Sequence, residues 1–138
     1  MNNNPLISED KLGLLIPQFY SRVCDDAVIG PVFNNAIDDW NHHLEKLVAF
    51  WSSVMLTSGR YKGNPVAAHL KHLPSIAPSM FDRWLMLWTE VTDEQLSPEA
   101  AIALQIKAAR IAESLKLALY FRLAPTSGET PRPVVAAS

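Results

Sequence analysis

Between Trp40 and Val54 apolar side chains return every three or four residues. Trp40, His43, Leu47, Phe50, Trp51 and Val54 fall on one side of a 3.6-residue period, while Glu45 and Ser52 point away. Asp38 and Asp39 stand just ahead, where a side-chain acceptor and a negative charge favour the start of a helix. The pattern predicts a central helix with a wide aromatic face and a histidine at its margin. It should end by Ser58-Gly59, where glycine suits the left-handed closing turn. Upstream, Ser8 caps a second helical pattern, Leu12, Leu15, Phe19, Tyr20 and Val23, running to about Cys24. Pro17 lies inside it and predicts a kink or break near Ile16, because proline removes a donor and crowds the preceding turn.

Gly30-Pro31 predicts a turn that delivers Val32 and Phe33 as a short apolar step. Pro65 predicts a brief helix carrying His69. After the proline-rich joint from Leu73 to Pro78, Phe81, Trp84, Leu85, Trp88 and Val91 form another amphipathic stripe, flanked by Asp82 and Arg83. Ser97-Pro98-Glu99 is a strong helix start. The last helix aligns Leu104, Ala108, Ile111, Leu115, Ala118 and Leu119 against Lys107, Arg110 and Ser114. With no alternating strand pattern and no repeat, the fold class is all-α. Residues 1–7 are expected to be disordered, 8–123 to form the domain, and 124–138 to be a disordered Pro-rich tail with too little apolar surface to offset ordering entropy.

Composition narrows the function. A chain of 138 residues, 49% hydrophobic, forms one domain with a real core. A net charge of −2 and a pI near 6.0 leave no basic excess for nucleic acid or anionic lipid. No apolar run reaches the ~18 residues of a membrane span, and the opening residues lack a secretory pattern, so a cytoplasmic location is expected. Cys24 is the lone cysteine, which excludes an internal disulfide, a thiolate zinc cluster and covalent haem attachment; it is expected to be an inert, semi-buried thiol.

The histidines carry the candidate chemistry. His42 and His43 are adjacent and face different directions, while His69 and His72 could share a helical face but lack a neighbouring carboxylate. There is no Gly-x-Ser-x-Gly elbow and no phosphate-cradling glycine loop. What remains is a helical sandwich rich in indole, with a histidine on each of two segments and a phenol at Tyr20. A planar iron macrocycle needs an imidazole on one side and a dry, selectively polar cavity on the other. The residues alone also allow a cofactor-free helical interaction module, its Trp-rich faces serving as plain core.

Six motifs stand in one order: Phe19-Tyr20-x-x-Val23, Ile29-Gly30-Pro31-Val32-Phe33, Trp40-x-x-His43-Leu44, Phe50-Trp51, Tyr61-x-Gly63-x-Pro65-x-x-x-His69 and Phe81-Asp82-Arg83-Trp84-Leu85. Together they resemble the truncated haemoglobins of group III, over about residues 8 to 122. The resemblance implies a two-over-two helical globin with one b-type haem. By position it makes His69 the proximal iron ligand, Phe33 the ring stacked on the porphyrin, Tyr20 the distal phenol, His43 the distal gate, Leu47 the apolar residue one turn on, and Trp84 the distal indole. Lys46 and Arg83 become candidates for the haem propionates. The segment from His69 to Trp84 is about one residue longer than the group's, which leaves His72 as a reserve ligand. The activity implied is reversible binding of dioxygen, NO, CO or other diatomics. NO dioxygenation or peroxidase-like turnover, served by a reductase, would use the same site.

Overall fold

Three helices begin at prolines, where the missing N–H falls among groups that have no partner within the helix in any case. In chain order the elements are α1 (Glu9–Asp25), α2 (Gly30–Ala36), α3 (Trp40–Leu56), α4 (Pro65–Leu70), α5 (Pro78–Gln95) and α6 (Pro98–Tyr120). The computed structural model describes residues 7–70, 72 and 75–120, so the expectations for residues 1–6 and for the tail 124–138 lie outside the described residues. Side-chain caps hold the starts of α1 and α3. Ser8 Oγ accepts the Lys11 N–H at 3.2 Å and an Asp39 carboxylate oxygen accepts the His42 N–H at 3.1 Å. Among the described residues there is no strand, and no helix is long and apolar enough to cross a membrane.

The long helices form two pairs, α1 with α3 and α5 with α6, joined where α1 packs on α5. Leu12, Ile16, Phe19, Val23, Trp88, Leu104 and Ala108 are wholly buried at the junction. Alanines of α6, Ala100, Ala101, Ala108 and Ala112, lie in this buried face, and their small side chains let α5 approach closely. A second cluster of Val66, Phe81, Ala112, Leu115, Ala118 and Leu119 seats α4 on α6. His69 therefore stands on a helix with its own small core.

Four local expectations are corrected. α1 runs through Pro17 as one helix. Both Pro17 and Gly13, the residue four before it, are exposed, so the carbonyl that proline cannot serve faces water. α3 closes on Thr57 rather than glycine: Thr57 takes the left-handed conformation, φ 54°, and its N–H reaches the Ser53 carbonyl at 3.1 Å. Ser52, expected to face solvent, is fully buried and donates to Glu9 at 2.8 Å. Glu9 also pairs with Arg60, so the start of α1 is tied to the end of α3. Ile7, the last residue of the segment expected to be disordered, packs in the core at 6% exposure.

The turn into α2 follows from Asp26. Its carboxylate accepts the N–H groups of Val28 and Ile29, each at 3.0 Å, which winds the chain toward Gly30. At Gly30 a Cβ would lie 2.6 Å from the Cys24 carbonyl oxygen, closer than such atoms can approach. Only glycine lets α2 leave α1 at this angle, and Phe33 is placed by that departure.

Candidate functional site

Tyr20 lies on the buried face of α1 beside Phe19, and each ring meets a different wall. Phe19 meets Trp84 and Trp88 of α5 edge-on, at centroid distances of 5.6 and 4.8 Å. Tyr20 meets Phe33 of α2 at 5.7 Å, Trp40 at 6.1 Å and His43 of α3 at 6.4 Å. Helices α1, α2, α3 and α5 thus bring Tyr20, Phe33, His43 and Trp84 together. Leu47, one turn beyond His43, is half-buried and packs against the main core.

A hydrogen bond orders the polar atoms. The Trp84 indole Nε1–H donates to the Tyr20 phenol oxygen at 3.4 Å. Tyr20 accepts there, which leaves its own O–H to donate onward. Burial pushes the Tyr20 pKa up to about 12, the Trp84 bond opposing only in part, so the phenol stays protonated at physiological pH. The indole therefore holds the phenol.

His69 supplies the other side. Its Nδ1–H donates to the Pro65 carbonyl at 2.6 Å, one turn back on α4. A carbonyl can only accept, so the proton sits on Nδ1 and Nε2 keeps its lone pair. The ring stacks on Phe81 at 6.2 Å. Burial, with a small push from His72, holds the imidazole below its ordinary pKa despite the Pro65 bond, so it is neutral at pH 7. His43 is likewise held down, first by burial and then by the charges of Lys46, His42 and His69. His69 is thus near enough to be felt at His43.

His72 lies past the end of α4, where it lines a recess beside Pro31, Val32, Asn35 and Ala36 of α2. Lys46 is exposed. Arg83, a candidate for a haem propionate, is paired within the protein: its Nε–H donates to Asp26 at 2.8 Å and a second nitrogen approaches the same oxygen at 2.6 Å. The Asp26 side chain is 4% exposed, and Arg83 holds its carboxyl below the usual range, helped by the Ile29 and Val28 amides. Arg83 is thus a brace between α5 and the turn into α2. Sequence reasoning missed Asp26, although an aspartate two and three residues before the amides it binds, ahead of Gly-Pro, is a turn signal. Cys24 is half-buried in an apolar recess of about 190 Å³ lined also by Pro17, Tyr20, Trp40 and Leu44, and its pKa is raised chiefly by burial.

Asp26→Asn keeps an acceptor for the amides and removes the charge. It is expected to lower stability at pH 7 by about 1–2 kcal/mol, allowing for the partial exposure of Arg83. Because the native carboxyl titrates below its unfolded value of about 4, its contribution is complete above that pH and disappears as pH falls through the native pKa. Urea melts of both proteins at pH 7 and pH 3 check this: the difference should shrink at pH 3.

These features are one imidazole whose Nε2 keeps its lone pair, and a phenol bonded to an indole among apolar and aromatic side chains. Among the described residues no three His, Cys, Asp or Glu side chains gather into an ion-binding group. No family model matches the chain. It is 32% identical over 118 residues to the Group 3 truncated hemoglobin of Campylobacter jejuni, a match spanning 83% of this chain and 92% of that protein. The crystal structure of group III truncated hemoglobin from the same organism superposes with a TM-score of 0.78 at 32% identity, covering 87% of this chain and 96% of that one. The chain belongs to the group III truncated haemoglobins. As a truncated haemoglobin, it is the two-over-two helical sandwich that its motif order predicts. In this globin Tyr20, His43 and Trp84 stand on α1, α3 and α5, and His69 stands on α4.

Proposed function

We propose that this globin binds haem b through His69 and reversibly takes dioxygen, CO or NO at the opposite face. The observation that carries the reading is the Nδ1–H bond from His69 to the Pro65 carbonyl, which fixes the ring and offers Nε2 to a metal. A second feature is Phe33, placed by the Gly30 turn, which would offer an aromatic wall to a bound macrocycle. Family membership supports a haem, and the donor set fits one: a neutral imidazole, apolar and aromatic walls, and a protonated phenol. When bound, haem would supply an iron able to take a diatomic ligand.

The protein's own residues set what happens there. Trp84 donates to the Tyr20 oxygen, which leaves the phenol proton available to a bound ligand. Leu47 and Trp40 keep that side apolar, which strengthens the phenol's donation by lowering the local dielectric. Lys46, near enough to His43 to lower its pKa, is the cation we assign to a propionate. The same donor arrangement suits NO dioxygenation or peroxidase-like turnover with a reductase, since both need an oxygen ligand held and polarised. The cofactor-free interaction module loses to family membership.

Hemin titration tests the reading. A Soret band that saturates at one hemin per chain is expected, and a protein that stays colourless would overturn it. His43, neutral at pH 7 and half-buried at the margin of α3, is assigned the gate. His43→Ala is expected to speed CO association about tenfold, as removal of about 1.4 kcal/mol from an access barrier would do. Laser flash photolysis measures this, and an unchanged rate would remove the gate.

A further inference from the structure

Three indoles form a continuous stack in the middle of the molecule. Trp51 and Trp88 lie 4.6 Å apart with planes 16° from parallel, and Trp88 and Trp84 lie 5.8 Å apart at 4°. Most other ring contacts among the described residues are edge-on or tilted, the usual way to pack aromatic rings in a core. The stack continues at both ends. Trp84 is bonded to Tyr20 at the distal wall. Beyond Trp51, Phe50 lies at 5.8 Å and Tyr61 a further 5.2 Å from Phe50. Trp88 and Trp51 are 0% and 1% exposed, whereas Tyr61 reaches the surface.

The chemistry of the file matches its geometry. Indole and phenol are the neutral side chains that most readily give up one electron, and parallel overlap of their π systems couples neighbours. Trp88 donates its Nε1–H to the Leu104 carbonyl at 3.1 Å. That carbonyl dipole stabilises positive charge on the indole, and burial keeps its proton from escaping to water. A charge reaching Trp88 therefore moves on instead of being trapped as a deprotonated radical. At Tyr61, in contact with solvent, a phenol can lose an electron and its proton together.

We propose that Trp84, Trp88 and Trp51, extended through Phe50 to Tyr61, form an electron-transfer route between the distal pocket and the surface, serving one-electron reduction of the haem site by phenolic donors in solution. The proposal rests on the haem-binding reading above. The oxidant is hydrogen peroxide, which takes up two electrons and two protons at the pocket and leaves as two waters. The electrons pass inward along the file one at a time. Each time, Tyr61 loses an electron and releases its proton to water. It then recovers both as a hydrogen atom from a phenol, so that one peroxide and two phenols give two waters and two phenoxyl radicals. Phenols too large to enter the pocket can thus act as donors.

The test uses the hemin-reconstituted full chain, hydrogen peroxide, and a phenol tethered to a soluble polymer. Freeze-quench electron paramagnetic resonance is expected to show a tyrosyl signal that is absent from Tyr61→Phe, with the Soret band and CO binding unchanged. Oxidation of the tethered phenol should be lost in Tyr61→Phe, while oxidation of free phenol at the haem edge survives. Trp88→Phe should weaken the Tyr61 signal and increase oxygen addition to Trp84 in peptide mass maps. If Trp88→Phe does not fold, Tyr61→Phe at the surface still decides. An unaltered radical signal and unaltered oxidation of the tethered phenol in Tyr61→Phe would overturn the route while leaving haem binding intact. A wild-type protein that forms no Soret band fails the haem reading instead.

Discussion

Replacing His69 with alanine is expected to abolish the Soret band of the hemin-reconstituted protein, whereas His72→Ala is expected to retain it. The structure distinguishes the two imidazoles by what holds them. His69 is fixed by its bond to the Pro65 carbonyl and by the Phe81 ring, on a helix seated by Val66, Leu115 and Leu119. His72 follows that helix and lies against α2 beside Pro31 and Asn35. Changing a residue that merely orients a ligand costs about 10–100-fold in affinity, and deleting the ligand itself should cost more. Added imidazole should restore the band in His69→Ala by filling the space with a free ligand. Hemin titration followed at the Soret maximum is the measurement. Loss of the band in His72→Ala with retention in His69→Ala would reverse the assignment.

Tyr20→Phe is expected to accelerate dioxygen dissociation by roughly 10- to 100-fold. A hydrogen bond to a group that carries charge is worth about 1.5–3 kcal/mol, and each 1.4 kcal/mol is a factor of ten. The ring itself should stay in place, because Phe19, Phe33 and Trp40 surround it whether or not the hydroxyl is present. Since the phenol is pushed up to about 12, it remains a donor through the neutral range, and the wild-type rate should be flat from pH 6 to pH 9 as far as Tyr20 governs it. Stopped-flow mixing with a dioxygen scavenger measures the rate. An unchanged value in the variant would take ligand stabilisation away from Tyr20.

Much of the fold was legible because its signals are local. Proline at the first turn marks α4, α5 and α6, and Ser8 and Asp39 mark α1 and α3, each acting within one turn of itself. That Tyr20, His43 and Trp84 share one neighbourhood came from the family resemblance, since each helical stripe shows only which face is buried. What escaped involves partners far apart in the chain. Ser52 reads as a polar residue on a polar face, yet Glu9 arrives from α1 to accept its proton and makes burial favourable. Arg83 is a candidate for a haem propionate until Asp26, 57 positions earlier, is found to hold it. Thr57 escaped for another reason: glycine two residues on is the better left-handed former, but the carbonyls of the last turn of α3 are met at Thr57.

Tyr20, His43, Leu47 and Trp84 all project from helix interiors, none from a connecting loop. Their Cβ positions are locked to the same packing that keeps the molecule folded. Variation among descendants of such a protein can exchange the chemical character of a wall atom, but it has little freedom to move the wall. Ligand preference in this lineage should therefore diversify by swapping one side chain for another at constant chain length, whereas proteins with loop-built pockets diversify by insertion and deletion.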